Sequence, residues 1–158
     1  MRKSLLVGAH VVCAVMVFSS SIVLAADNWI GTWKLNVEKS KYSPGPAPKS
    51  LTLKYEASQG GIRHTSDGVN AEGKATHTTY SSKFDGKDVP FEGNPDADTH
   101  APKKIDDNSF ENVWKKGGKA TVTVRAVVSK DGKTFTVSLT GKNAKGETVN
   151  NTAVFEKE

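Results

Sequence analysis

The sequence predicts an all-β fold, a single antiparallel up-and-down β-barrel of eight to ten strands. Three observations lead to this prediction: apolar and polar residues alternate with a period of two, turn-forming pairs recur at short intervals, and no window combines helical periodicity with a cap at each end. Closing a long meander into a barrel removes the exposed edge strands that invite aggregation. A two-sheet sandwich is the alternative arrangement.

Residues 1–25 precede the predicted domain and have the features of a secretory signal peptide. A basic start is followed by the mostly apolar run 5–24 and by the small residues Ala25 and Ala26. We expect cleavage after Ala25, or after Ala26, so that residues 26–158 form an exported, periplasmic or secreted domain with no stable membrane insertion. A retained membrane anchor is the competing interpretation, because the run approaches spanning length.

The composition of the mature chain excludes several kinds of chemistry. The only cysteine, Cys13, lies in the leader, so no thiol remains for disulfides, thiolate metal sites or nucleophilic catalysis. The full chain has 22 basic and 17 acidic residues, and loss of Arg2 and Lys3 leaves 20 against 17, a net charge of +3. These charges are scattered, which is typical of a solvated surface and gives no indication of nucleic-acid binding.

Alternation assigns side chains to the barrel interior along each predicted strand. It is clearest in the segments 51–57, 121–129 and 134–140, where apolar residues occupy every second position between Thr, Ser, Lys and Glu. The apolar faces of these segments contain Leu51, Leu53, Tyr55, Val122, Val124, Ala126, Val128, Phe135, Val137 and Leu139. Pairs such as Asp67-Gly68, Gly117-Gly118 and Asp131-Gly132 tolerate positive φ and predict hairpins between neighbouring strands.

Two short motifs and a longer arrangement resemble known proteins. Gly31-Thr32-Trp33 resembles the opening motif of the calycins, meaning the lipocalins and fatty-acid-binding proteins, and the run 153–157 resembles the closing strand of the latter. More narrowly, GTWKLN…KSKYSPGPAPKS…FDGKD…GNPDADT…RAVVSKDGKTFT resembles a family of small exported bacterial lipocalin-like proteins of unknown function. This resemblance covers nearly the whole mature chain and implies a calycin-type barrel, but it implies no activity.

The resemblance also implies roles for Trp33 and Arg125. Trp33 would plug the closed end of the barrel, and in lipocalins an arginine from a late strand commonly covers this tryptophan. Arg125 is the late arginine of this chain, and stacking of a guanidinium on an indole contributes about 0.5–2 kcal/mol. The alternative is that Arg125 is exposed on the solvent-facing side of its strand.

A proline-rich segment, SPGPAPK at 43–49, follows the first predicted strand. Its alternate prolines restrict backbone φ, so we expect a stiff strap across one end of the barrel, anchored by Tyr42. A plain surface connection is the alternative.

The predicted function is binding or carriage of a small apolar or amphipathic molecule inside the barrel. Aromatic-lined space with a few polar groups is typical of small-molecule pockets, although a small barrel can also fill itself with side chains. The alternative is a solid-barrel interaction module, an inhibitor or envelope accessory protein, that uses its loops. The expected ligand-binding residues are Tyr55, Tyr80, Phe91, Trp114, Arg125 and Phe135.

No pattern in the sequence predicts an enzyme, a cofactor or a metal ion. Nucleophile-elbow, phosphate-loop and zinc-protease motifs are missing from the sequence. Asp96, Asp98 and His100 alternate in NPDADTH and would suit zinc if they converged, but the Asn94-Pro95-Asp96 start favours a hydrogen-bonded turn. We expect His64 and His77 at the surface or at the edge of the core.

Overall fold

A computed structural model describes residues 27–158, and the predicted signal peptide, residues 1–25, lies outside this range. The described chain forms ten strands and no helix, so it has no helix long and apolar enough to cross a membrane. The strands are β1 (Gly31–Lys41), β2 (Ser50–Ser58), β3 (Gly61–Val69), β4 (Ala75–Ser82), β5 (Val89–Pro90), β6 (Thr99–Asp106), β7 (Ser109–Lys116), β8 (Lys119–Val128), β9 (Thr134–Lys142) and β10 (Thr148–Lys157).

All ten strands belong to one antiparallel sheet in the order β4-β3-β2-β1-β10-β9-β8-β7-β6-β5. The first strand pairs with the last, with Trp33 opposite Lys157 and Leu35 opposite Phe155. The sheet curls until its two ends meet, at an isolated bridge between Thr79 of β4 and Glu92 and at a second between Asp85 and Lys103 of β6. The predicted up-and-down barrel of eight to ten strands is therefore confirmed, and the barrel is nearly closed.

Most of the predicted turns separate strands, but the pair Asp67-Gly68 does not. It lies inside β3, where Asp67 is opposite His77 of β4. A Cβ built on Gly68 would lie 2.5 Å from the carbonyl oxygen of Ser50, so glycine is needed there for the close approach of β2. The chain turns instead after β3, where Gly73 N donates to Asn70 O.

Two tryptophans fill one end of the barrel. Trp33 on β1 is fully buried, as predicted, and its ring centroid lies 5.1 Å from that of Phe135. Trp29, which precedes β1, is also fully buried and packs edge-to-face on Phe110 at 5.4 Å. Asn28 N donates to Asp107 O and fastens this segment to the β6–β7 turn. This end of the barrel is therefore closed by the segment before the first strand as well as by Trp33.

The predicted cover of Trp33 by Arg125 is wrong. Arg125 lies on the outer face of β8, where its side chain is 50% exposed and Nη1 donates to Glu111 Oε1 at 2.7 Å. The alternation of β8 turns Val124 and Ala126 inward and therefore turns Arg125 outward. The cation over the indole is Lys157, whose Nζ lies 5.2 Å from the centroid of the Trp33 ring.

The proline-rich strap, residues 43–49, is tied to the barrel at both ends. Ser43 N donates to Asn151 Oδ1 at 2.8 Å, and Asn150 N donates to Ser43 O at 2.7 Å. At the other end, Lys49 N donates to Val69 O at 2.9 Å. The half-buried Tyr42 packs against the core immediately before the strap. The strap thus spans from β10 to β3, as expected for a segment that crosses a barrel end.

Candidate functional site

A cavity of about 320 Å³ lies inside the barrel beneath the strap. Leu53, Val137, Leu139 and Phe155 contribute apolar wall from β2, β9 and β10. The exposed Pro95 and the half-buried Pro48 form part of its rim, so the cavity reaches the surface between the strap and the β5–β6 loop. Its other lining residues are Tyr42, Leu51, Tyr55, His64, Ser66, Thr76, Thr78, Tyr80, Phe91, Gly93, Asn94, Asp96, Phe110, Asn112, Trp114, Val124, Asn151 and Ala153.

The structure brings four of the six sequence-predicted ligand-binding residues to this cavity. Tyr55, Tyr80, Phe91 and Trp114 all line it. Phe135 lies deeper, fully buried and packed edge-to-face on Tyr55 with 5.9 Å between ring centroids, so it supports the wall without reaching the cavity. Arg125 points away from the interior, and its predicted place in the pocket is wrong.

Aromatic and imidazole rings in tilted, edge-to-face and stacked contacts form a continuous array along one side of the cavity. Tyr55 lies 4.5 Å from His64 and His64 lies 4.6 Å from Tyr80, measured between ring centroids. Tyr80 lies 4.1 Å from His100, and His100 stacks on Phe91 at 4.3 Å. Phe91 continues the array to Trp114 at 5.5 Å. The ring faces and edges of this array present both apolar contact area and aromatic quadrupoles to the interior.

His64 is an interior residue, which contradicts the prediction that it lies at the surface or core edge. It is 5% exposed, and its Nδ1 has no hydrogen-bond partner in the described chain. Burial, with a smaller contribution from nearby His100, lowers the pKa of His64 to about 3, so the imidazole is neutral at pH 7. His64 has the same parity on β3 as the inward Ile62 and Ser66, and this alternation could have predicted its burial. His77 is exposed as predicted, and its Nδ1 lies 2.6 Å from Asp67 Oδ1.

His100 supports the ring array from behind. It is fully buried, and Asn112 Nδ2 lies 2.9 Å from His100 Nδ1. Burial lowers the pKa of His100 to about 4, so this ring is also neutral at pH 7. Asn112 Oδ1 lies 3.1 Å from the same nitrogen, and His100 Nε2 has no partner among residues 27–158. Trp114 Nε1 is also unpaired within the described residues, so alternate members of the array contain a buried nitrogen without a partner, as does Trp29 at the closed end of the barrel.

The NPDADTH segment forms the hydrogen-bonded turn expected from its Asn-Pro-Asp start. Asn94 Oδ1 accepts a hydrogen bond from Asp96 N at 2.8 Å. Asp96 Oδ1 then accepts from Ala144 N at 2.8 Å, and Asp98 Oδ2 accepts from Gly117 N at 2.9 Å. The two carboxylates therefore fasten different loops, and no group of three His, Cys, Asp or Glu residues between 27 and 158 has the spacing for a metal ion.

Comparison with known proteins supports the fold. No protein-family model matches the chain, and no curated protein matches it in sequence. Among solved structures, the crystal structure of zebrafish ileal bile acid-binding protein complexed with cholic acid is similar, with 11% sequence identity and a TM-score of 0.52. The alignment covers 83% of this chain and 99% of that chain. The similarity shows a barrel of the fatty-acid-binding and lipocalin-like type, and at this level of identity it shows the fold alone.

Proposed function

We propose that the domain binds a compact apolar or amphipathic small molecule in the cavity. The observation that supports this function is an internal volume of about 320 Å³ between largely apolar walls. Small-molecule pockets range from about 300 to 1,000 Å³ and combine apolar walls with a few polar groups. A solid interaction module would have its interior filled by side chains. The bound cholic acid in the structurally similar zebrafish protein agrees with this use of the barrel.

We further infer that the domain carries or sequesters its ligand outside the cytoplasm, without catalysis. This proposal rests on the signal-peptide features of residues 1–25 and on the predominantly apolar cavity. Purification from the native host followed by intact-mass measurement tests it, because a mature chain that begins at Ala26 or Asp27 is expected. A chain that retains residues 1–25 would contradict export by cleavage.

A matched pair of variants on β9 tests ligand binding. Leu139 lines the cavity, whereas the adjacent Thr140 is exposed on the outer face. Leu139→Trp should fill the cavity, and Thr140→Trp adds the same side chain outside it. We expect saturable binding of the uncharged dye N-phenyl-1-naphthylamine to the wild type and to Thr140→Trp, and at least about tenfold weaker binding to Leu139→Trp. Equal binding by the two variants, or no saturable binding to the wild type, would contradict the proposal.

A further inference from the structure

We propose that the ligand is an uncharged, ring-containing molecule with a hydroxyl, carbonyl or amide group, and that the cavity discriminates against carboxylate anions. This inference rests on the proposed function and specifies its ligand class. Three features of the cavity lead to it: the lack of a cation in its wall, the neutral character of its polar side chains, and its array of aromatic rings.

The cavity wall offers no positive charge to an anion. Within residues 27–158, no lysine or arginine lines it. Both arginines of the described chain, Arg63 and Arg125, are exposed on strand faces opposite the inward positions of β3 and β8. Among the described residues, Asp96 is the one carboxylate in the wall, and it lies near the rim, where Lys116 Nζ donates to Pro95 O at 3.4 Å from outside the cavity. A carboxylate in this interior would lose its hydration without gaining a counter-charge, which is strongly unfavourable.

The interior polar groups are neutral hydrogen-bonding groups. Among residues 27–158, His64 is the only histidine in the wall, and its burial keeps it uncharged at pH 7. Ser66 Oγ and Thr78 Oγ1 are hydrogen-bonded to each other, and Thr76, Asn94, Asn112 and Asn151 add further uncharged polar side chains to the wall. Hydroxyl and amide dipoles can pair with a ligand hydroxyl, carbonyl or amide, and neither partner then has to be desolvated as an ion.

The aromatic array favours a ring in the ligand. All six of its members lie within 5.5 Å of a neighbouring ring, and all except His100 line the cavity. A planar or alicyclic ring can contact the faces and edges of these rings without losing internal rotational freedom, whereas a flexible chain loses such freedom when it is ordered there. The volume of about 320 Å³ suits a molecule of one to three rings.

The test compares two ligands of nearly identical shape, 2-naphthamide and 2-naphthoate, by isothermal titration calorimetry at pH 7. We expect the wild type to bind 2-naphthamide at least about tenfold more tightly than 2-naphthoate. Equal or tighter binding of 2-naphthoate would overturn the inference. If N-phenyl-1-naphthylamine binds and neither naphthalene derivative does, the assigned ligand class is wrong; if none of the three binds, the proposed function itself fails.

The same two ligands give a second readout as pH is lowered from 7 to 5. If only the protonated acid is accepted, the apparent affinity for 2-naphthoate rises about tenfold for each pH unit, because the uncharged fraction of a carboxylic acid rises by that factor above its pKa. The affinity for 2-naphthamide should stay constant. The titratable groups that face the cavity are Tyr42, Tyr55, His64, Tyr80 and Asp96, with His100 behind them. An affinity for 2-naphthoate that does not change with pH would overturn the inference.

A variant that adds a cation should reverse the preference. Leu139→Arg places a guanidinium in the wall, and Leu139→Gln is the matched uncharged control. We expect Leu139→Arg, relative to Leu139→Gln, to raise the ratio of 2-naphthoate to 2-naphthamide affinity at least about tenfold. An unchanged ratio in a folded Leu139→Arg protein would show that charge in the wall does not control selection. If Leu139→Arg does not fold, the inference is tested by the comparison of 2-naphthamide and 2-naphthoate binding to the wild type.

Discussion

Trp33 Nε1 donates a hydrogen bond of 2.8 Å to the backbone carbonyl of Trp29. Both side chains are fully buried, so this bond is shielded from water and links the segment before β1 to the first strand of the barrel. Together the two indoles close the end of the barrel opposite the strap. The ligand cavity and this closed end are separate parts of one core, since neither tryptophan lines the cavity.

The first prediction concerns this closed end. Replacement of Trp33 by alanine should lower the free energy of unfolding by about 3–5 kcal/mol, because a large aromatic side chain leaves a cavity behind. Trp33→Phe retains much of the packing but leaves the buried Trp29 carbonyl unpaired, and should cost about 1–3 kcal/mol. Urea denaturation measures both values. A folded Trp33 variant with unchanged stability and abolished ligand binding would show that Trp33 is a ligand residue instead.

The fold can be predicted from local patterns that recur along the sequence. Period-two alternation and closely spaced turns indicate both the strands and the pairing of neighbours, and Trp33 was placed in the core by its motif. Trp29 was missed because it precedes β1, where no alternation exists to indicate burial. The turn predicted at Asp67-Gly68 was wrong. Gly68 lies within β3, where the close approach of the β2 backbone at Ser50 requires a glycine.

The site was predicted only in part, because alternation gives the face of a strand but not the depth along the barrel. Tyr55 and Phe135 both point inward, yet only Tyr55 reaches the cavity and Phe135 belongs to the packed layer below it. His64 has the inward parity of β3, shared with Ile62 and Ser66, so the expectation that it lies at the surface or core edge is wrong. Arg125 has the outward parity of β8, which excludes both its place in the pocket and the cover of Trp33 that the family resemblance implied.

Loss of the Arg125 side chain should have little effect. Its ion pair with Glu111 is half exposed, and exposed pairs contribute at most about 1 kcal/mol. We therefore expect Arg125→Ala to change the free energy of unfolding by less than that amount and to leave the affinity for N-phenyl-1-naphthylamine unchanged. If Arg125→Ala bound N-phenyl-1-naphthylamine tenfold or more weakly than the wild type, Arg125 would have to contribute to ligand binding.

Buried neutral histidines should make the barrel sensitive to acid. The pKa of His64 is about 3 in the folded protein and that of His100 about 4, against about 6.5 in the unfolded chain. Below pH 6.5 the unfolded chain therefore binds more protons, and stability falls as pH falls toward the folded-state values. His64→Phe keeps a ring between Tyr55 and Tyr80 and should reduce this dependence by about 1 kcal/mol per pH unit between pH 6 and 5. Urea denaturation at each pH measures the slope, and equal slopes for wild type and variant would contradict a buried neutral His64.

The tie between the strap and β10 should control the opening of the cavity. Asn151 lines the cavity and its Oδ1 accepts from Ser43 N, whereas the neighbouring Asn150 holds Ser43 O through its backbone N. Asn151→Ala removes the hydrogen bond that Asn151 Oδ1 accepts from Ser43 N. Asn150→Ala is the matched control, because the bond from Asn150 N to Ser43 O does not involve the Asn150 side chain. We expect faster amide hydrogen exchange at residues 43–49 and faster dissociation of N-phenyl-1-naphthylamine in Asn151→Ala only. Identical exchange in the two variants would mean that the strap is held by its other contacts.

Ligand binding should be visible through one of the three tryptophans of the chain. Trp114 lines the cavity, whereas Trp29 and Trp33 are buried at the closed end. A compact alcohol that contains a heavy atom, 3-bromo-1-adamantanol, should quench Trp114 by contact and leave the other two indoles unaffected. Trp114→Phe preserves a ring against Phe91, so calorimetry should still detect binding while the quenching disappears. Quenching that persists in Trp114→Phe would place the ligand against Trp29 or Trp33, at the opposite end of the barrel.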